Sequence, residues 1–192
     1  ADFELIMPVI KEIMESNNQV YLKIVGELDL PKELDSVRER VIAEPFVEWK
    51  KLPELIASVD INLAPLKESI FNAAKSENKW LEAGLVHVPT IASKVGAFEE
   101  MIQDGQDGIL CANIHEWQEK LQLLIDDKTY REEIGSNAYA IARKKITTYT
   151  GRGIAEYVIS KMPKNFGFVL PTTNISGGVN VIIKQCNMLR DH

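Results

Sequence analysis

Cysteine is scarce in this 192-residue chain: Cys111 and Cys186 are the only two, far apart and without partners at metal-ligand spacing. That excludes a thiolate metal cluster and a disulfide-stapled scaffold, and both residues are expected as reduced thiols of a cytoplasmic protein. Histidine is almost as rare, with His87, His115 and His192 the only three, and His115 and His192 have no matching partners for a metal site or a catalytic triad. Basic charge is in deficit, with 22 Lys and Arg against 28 Asp and Glu and a formal net charge of -6. A broad electrostatic grip on nucleic acid is therefore not expected. No apolar run approaches the ~20 residues that span a bilayer. The opening ADFELIMPVIK lacks the basic start and small-residue cleavage site of a secretory signal. No aspartate-x-aspartate pair of the kind that holds a metal on a diphosphate occurs, so no metal is expected.

What the chain does have is a 45% hydrophobic and 26% charged composition, enough apolar material for a globular core. Phe3, Ile6, Met7, Ile10 and Ile13 recur at helical spacing, with Asp2 as a candidate N-cap and Pro8 as an interruption near the start. A strand over Val20–Val25 follows, closed by Gly26. A helix that feeds a strand with no strand before it is odd in an α/β domain, so a first strand is expected upstream. Val41-Ile42 and Ile61–Ala64 are further strand candidates, and Leu52–Ala57 a short helix with proline in its first turn.

The stretch Lys75–Ser93, KSENKWLEAGLVHVPTIAS, organises the rest. Ser76 is a candidate N-cap for a short helix through Lys79-Trp80-Leu81-Glu82-Ala83, and Gly84 can end it in the left-handed conformation. Val88–Ala92 reads as a buried strand. A helix N-terminus attracts anions, and Lys75 and Lys79 add positive charge, so a phosphate site is expected there with Glu82 one turn further in. Trp80 is expected in the core, and His87 as a structural histidine. Phe98–Ile102 is a helical turn, Gly108–Cys111 a short strand, and helices are expected from His115 and over Lys128–Lys145. The alternation predicts an α/β fold, a Rossmann-like parallel sheet with helices on both faces, binding its ligand beyond the carboxyl ends of the strands. Residues 1–146 form this domain. Residues 147–163 are a C-terminal helix and linker, with the helix over Ile154–Met162. Residues 164–192 read as strand Phe166–Pro171, glycine turn Ser176-Gly177-Gly178 and helix, the opening of a further α/β domain.

Four motifs in order carry a family resemblance. Val25-Gly26 closes a strand as the family's "IVG" does. Asp60-Ile61-Asn62-Leu63-Ala64-Pro65 is similar to its "aDv.v.PS" strand. Lys79–Gly84 followed by Val88–Ser93 resembles "LEAMA.G.PVIAS". Gly96, Glu100–Gly105 and Gly108–Leu110 resemble "G..E.I.DG..G.LV". Residues 2 to about 160 thus resemble the C-terminal, donor-binding half of GT-B glycosyltransferases of the group 1, glycogen-synthase-like class. Residues 166–189 resemble the opening of a GT-B N-terminal domain.

The resemblance implies a nucleoside-diphosphate sugar as donor and a glycan acceptor bound through an N-terminal half. By motif position Glu82 would hold the donor ribose, and Ser76, Glu77, Asn78 and Lys79 would meet the diphosphate. Lys75 and Glu100 are further candidate donor contacts. The family's first glutamate, eight residues before Glu82, is replaced here by Ala74, which leaves sugar identity and stereochemical outcome open. The expected function is donor binding in a polysaccharide-synthesising transferase, with peripheral membrane association of the full-length protein and no turnover by this piece alone. The alternatives are a non-catalytic scaffold between transferase modules and a sugar-nucleotide epimerase of the same architecture.

Overall fold

A computed structural model describes residues 2–26 and 31–146. The chain divides between Arg143 and Lys144 into two compact units, and of the second only residues 144–146 fall among the described ones. The helix, strand and glycine turn expected beyond residue 146, and the domain boundaries drawn there, lie outside the described residues.

In the first unit, helix α1 (Met7–Ser16) leads to strand β1 (Leu22–Val25), and a 3-10 segment over Lys32–Arg40 leads to β2 (Val41–Glu44). Then come α2 (Leu52–Ala57), β3 (Asn62–Ala64), α3 (Ile70–Ala73), α4 (Asn78–Gly84), β4 (Thr90–Ser93), α5 (Ala97–Met101), β5 (Ile109–Cys111), α6 (Ile114–Asp126) and α7 (Lys128–Ile146). All strand pairs among the described residues are parallel. The expected sheet is present as two hydrogen-bonded pieces, β1-β2 and β3-β4-β5.

Strand alternation explains why helices cover both faces of β3-β4-β5. Ile91, Ile109 and Cys111 point into a core shared with Ile10 and Ile13 of α1, Trp117, Leu121 and Leu124 of α6, and Ile134 of α7. The intervening Ala64, Ala92 and Leu110 point the other way, onto Trp80 and Leu81 of α4, Phe98 of α5 and Ala142 of α7. Trp80 is fully buried, as expected, and its indole Nε1 donates to the Asp107 carbonyl at 2.7 Å.

Three local expectations are corrected. Asp2 is not a helix cap: it begins a 3-10 turn, Asp2–Leu5, and α1 starts at Met7 with Ile6 before it and Pro8 in its first turn. Proline fits there because the first-turn amides have no intrahelical partner in any case. Ser76 is not the cap of α4, whose first helical residue is Asn78 and whose N-cap is Glu77. Gly84 does not end α4 in the left-handed region. It is buried in the last turn, where a Cβ would stand 3.0 Å from the Ala138 carbonyl oxygen of α7. The left-handed residue is His87, at φ 62°. Its ring stacks on Tyr139 with centroids 4.0 Å apart, the structural role expected for it. A glycine was needed for close helix approach, and the reversal fell to the next turn.

Candidate functional site

The loops that leave β3 and β4 at their carboxyl ends are tied to one another. The buried Ser93 Oγ, at the end of β4, accepts from the Leu66 amide, two residues past β3, at 2.9 Å. Gly96, at φ 56°, lies so close to Ala73 that a Cβ would come within 2.8 Å of the Ala73 Cα. Only glycine fits that contact, which holds the start of α5 against the end of α3. Lys75, Ser76 and Glu77 follow at once. This is the strand end at which ligands bind in open parallel sheets.

Asp2 joins the same cluster from the other end of the sequence. Its carboxylate accepts from the Lys67 amide at 3.1 Å, from Asn72 Nδ2 at 3.0 Å and from Lys75 Nζ at 3.3 Å. Burial alone would raise its pKa. The bonds from Lys67, Asn72 and Lys75 outweigh that and hold it below the ordinary carboxylate value. Asn72, itself buried, also donates to the Lys67 carbonyl at 2.7 Å. Lys75 Nζ lies 5.2 Å from the centroid of the Phe71 ring. Asp2 and Asn72 thus position Lys75 and its loop, and spacing could not reveal the part of Asp2, which reaches Lys75 from 73 residues away.

The main-chain amides of Ser76, Glu77, Asn78 and Lys79 donate to no acceptor among the described residues, as befits a helix start. Ser76 and Asn78 are exposed and Glu77 half-buried. Lys79 and Glu82 share one face of α4 and line a cavity of about 810 Å³ that also touches β1, α2 and β3. The Glu82 side chain is open to water on one side. The low-dielectric wall beside it nevertheless raises its pKa, an effect that nearby Lys79 opposes. Glu100 sits exposed on α5 and does not line this cavity. The structure therefore groups the candidates into a loop set, 75–78, with Glu100 on the adjoining short helix, and a cavity pair, Lys79 with Glu82. No cluster of His, Cys, Asp and Glu able to hold a metal ion occurs among the described residues. None of their helices is long and apolar enough to cross a membrane.

Residues 2–127 match the family described as Glycosyl transferases group 1. The chain belongs to this family. A relative, D-inositol 3-phosphate glycosyltransferase of Xylanimonas cellulosilytica, is 26% identical over 123 residues, covering 62% of this chain and 28% of the relative. Among solved structures, HepE of Anabaena in complex with UDP-glucose is 25% identical, with a TM-score of 0.61 over 80% of this chain and 45% of HepE. The C-terminal domain of LpcC from Francisella tularensis has the same fold, with 24% identity and a TM-score of 0.54 over 71% of this chain and 76% of that domain. The chain spans under half the length of HepE and of the inositol-phosphate relative. The α/β architecture expected from the sequence, parallel strands flanked by helices in a GT-B relationship, is the one found.

Proposed function

We propose that this chain is the donor-binding part of a transferase that moves a sugar from a nucleoside-diphosphate sugar to a glycan acceptor in polysaccharide biosynthesis. The observation that carries the reading is the family match over residues 2–127, joined to the likeness to HepE, which was crystallised with UDP-glucose. In this reading Glu82 accepts the ribose hydroxyls. The unpaired amides of residues 76–79 and the Lys79 ammonium face the diphosphate, where they stabilise negative charge as the sugar departs. Amides and lysines supply that charge stabilisation without a metal. Lys75 and Glu100 are outer contacts of the same donor. The acceptor binds a separate N-terminal half, so the piece alone does not turn over. The full protein works in the cytoplasm, with peripheral membrane association where its acceptor is anchored.

One observation favours a second reading, a non-catalytic module. Ala74 replaces the first glutamate, and Lys75 is already paired with Asp2. Calorimetric titration with UDP, UDP-glucose, GDP and dTDP, repeated with EDTA present and on Glu82→Ala, separates the two. Saturable binding of one nucleotide, insensitive to EDTA and weakened at least tenfold in the variant, supports the donor site. Binding of none of them by the full-length protein supports the scaffold.

A further inference from the structure

Helix α3, beside the candidate donor loop, holds its apolar side chains out in water. Ile70 is 93% exposed and Phe71 75% exposed, and Ala73 and Ala74 are open as well. Asn72 alone is buried. Single exposed apolar side chains are ordinary on a protein surface. This turn, however, is pinned. Ser69 Oγ accepts from the Asn72 amide at 3.1 Å. Asn72 Nδ2 donates to the Lys67 carbonyl at 2.7 Å and to the Asp2 carboxylate at 3.0 Å. Ala73 meets Gly96 so closely that no Cβ fits between them. The Phe71 ring is therefore presented by a fixed backbone, with Lys75 Nζ 5.2 Å from its centroid.

The order of a donor's parts says what would lie over that ring. A nucleoside-diphosphate sugar runs ribose, diphosphate, sugar. With Glu82 at the ribose and the amides of residues 76–79 at the diphosphate, the sugar falls on the far side of those amides, where Lys75 and α3 stand. The side chains offered there are poor in hydrogen-bonding capacity. Ile70, Phe71, Ala73 and Ala74 carry no polar side-chain atom. Lys67 and Lys75 are each paired with a carboxylate, Glu4 at 2.8 Å and Asp2 at 3.3 Å. An aromatic face carries partial negative charge, so it attracts the polarised C–H bonds on one face of a pyranose ring. Such stacking suits a neutral sugar and reads the face of the ring rather than single hydroxyls.

We propose that Phe71 is the platform on which the donor's sugar stacks, and that this sugar is a neutral pyranose. Phe71 is then a specificity-determining residue outside the motif positions. The inference rests on the donor reading and deepens it, naming the class of sugar and the ring that holds it.

The test separates the two. The full-length protein is titrated calorimetrically with three pairs: UDP and UDP-glucose, GDP and GDP-mannose, dTDP and dTDP-glucose. The pair that binds is carried through to Phe71→Ala, Phe71→Leu and Phe71→Tyr. The readout is the ratio of nucleotide-sugar affinity to nucleotide affinity, which cancels any effect of Phe71 on the diphosphate through Lys75. The ratio is expected to fall about three- to tenfold in Phe71→Ala and Phe71→Leu, and to stay within about twofold of the parent in Phe71→Tyr. Because the ring is mostly exposed, all three variants are expected to keep the parent Tm within about 3 °C. A ratio unchanged in Phe71→Ala overturns the platform. So does a parent ratio restored by leucine, since any apolar surface then serves, or a ratio lost equally in Phe71→Tyr. A uronic-acid version of the same nucleotide sugar, bound more tightly than the neutral one, overturns the sugar class. Binding of no nucleotide removes the donor reading itself, whereas nucleotide binding with an unchanged ratio removes only Phe71.

Discussion

Gly135 lies in the middle of α7, where helix propensity alone says that alanine is better by about 1 kcal/mol. The structure reverses that sign. A Cβ at Gly135 would overlap the His87 carbonyl oxygen and stand 2.9 Å from its carbon and 3.3 Å from Pro89 Cδ. The obstacle is main chain, and it is held: the His87 amide donates to Gly84 at 3.0 Å, the Val88 amide to Ala83 at 3.0 Å, and the His87 ring is stacked on Tyr139. Neither the carbonyl nor the turn can retreat without breaking those bonds, so α7 must lift from the turn that feeds β4. Overpacking of this kind costs about 1–3 kcal/mol, and backbone overlap belongs at the upper end. Against a propensity gain of about 1 kcal/mol the net loss for Gly135→Ala is about 1–2 kcal/mol, or ~2–8 °C in Tm for a chain of this size. Ser136→Ala is the control, on an exposed neighbour that meets no such wall, and it is expected to gain a few tenths of a kcal/mol. Thermal unfolding followed by far-UV circular dichroism reads both. A Gly135→Ala protein as stable as the parent, or more so, would refute the packing of α7 on the 84–89 turn.

Two further perturbations address the same core. At His87 the left-handed backbone penalises any side chain, so His87→Gly is expected to be more stable than His87→Ala by about 0.5–1 kcal/mol even though both lose the Tyr139 stack; urea denaturation of the pair checks the order, and the reverse order contradicts the φ. Burial pushes the Cys111 thiol up to about 12, with Lys120 opposing the shift and Glu116 and Asp104 adding to it. In a Cys186→Ser background the native protein at pH 8 should react with a thiol reagent about a thousandfold more slowly than free cysteine. The raised value also means that this thiol contributes stability fully below about pH 8.5 and loses it as pH climbs toward 12, at up to about 1.4 kcal/mol per pH unit. Denaturation midpoints between pH 8 and pH 11 should therefore fall less steeply in Cys111→Ala than in the parent.

How far the sequence could be read depended on the range of the interactions involved. Strands β1, β3 and β4 and helices α6 and α7 were legible because their apolar periodicity lies within the segment. Trp80 was legible as core for the same reason. Asp2 was misjudged because a carboxylate just before a helical pattern looks the same whether it caps that helix or crosses to Lys75. Gly84 was misjudged because a glycine after a short helix looks the same whether it reverses the chain or admits a neighbouring helix. Its neighbour, Ala138, is 54 positions later.

The Asp2–Lys75 pair sits where the amino-terminal turn meets the candidate donor loop. If Lys75 faces the donor diphosphate, Asp2 competes with the ligand for it, because one ammonium cannot be fully neutralised twice. The pair is partly exposed, with side-chain exposures of 38% and 31%, so its strength is in the range of about 0.2–1 kcal/mol for solvated ion pairs. Asp2→Asn keeps a side-chain oxygen for the Lys67 amide and removes the charge. It should therefore tighten nucleoside-diphosphate binding by about 1.4- to 5-fold while lowering Tm slightly. Lys75→Met should weaken binding, and the double variant should resemble Lys75→Met, since Asp2 acts only through that lysine. Acid tests the same link in the parent. The Asp2 carboxyl is held below its ordinary value, so its stabilising contribution is complete above about pH 4 and is lost as pH falls through the lowered pKa. The Tm difference between parent and Asp2→Asn should close over that acid range. Equal nucleotide affinity in all three variants would make Lys75 a brace for the amino-terminal turn and remove it from the donor site.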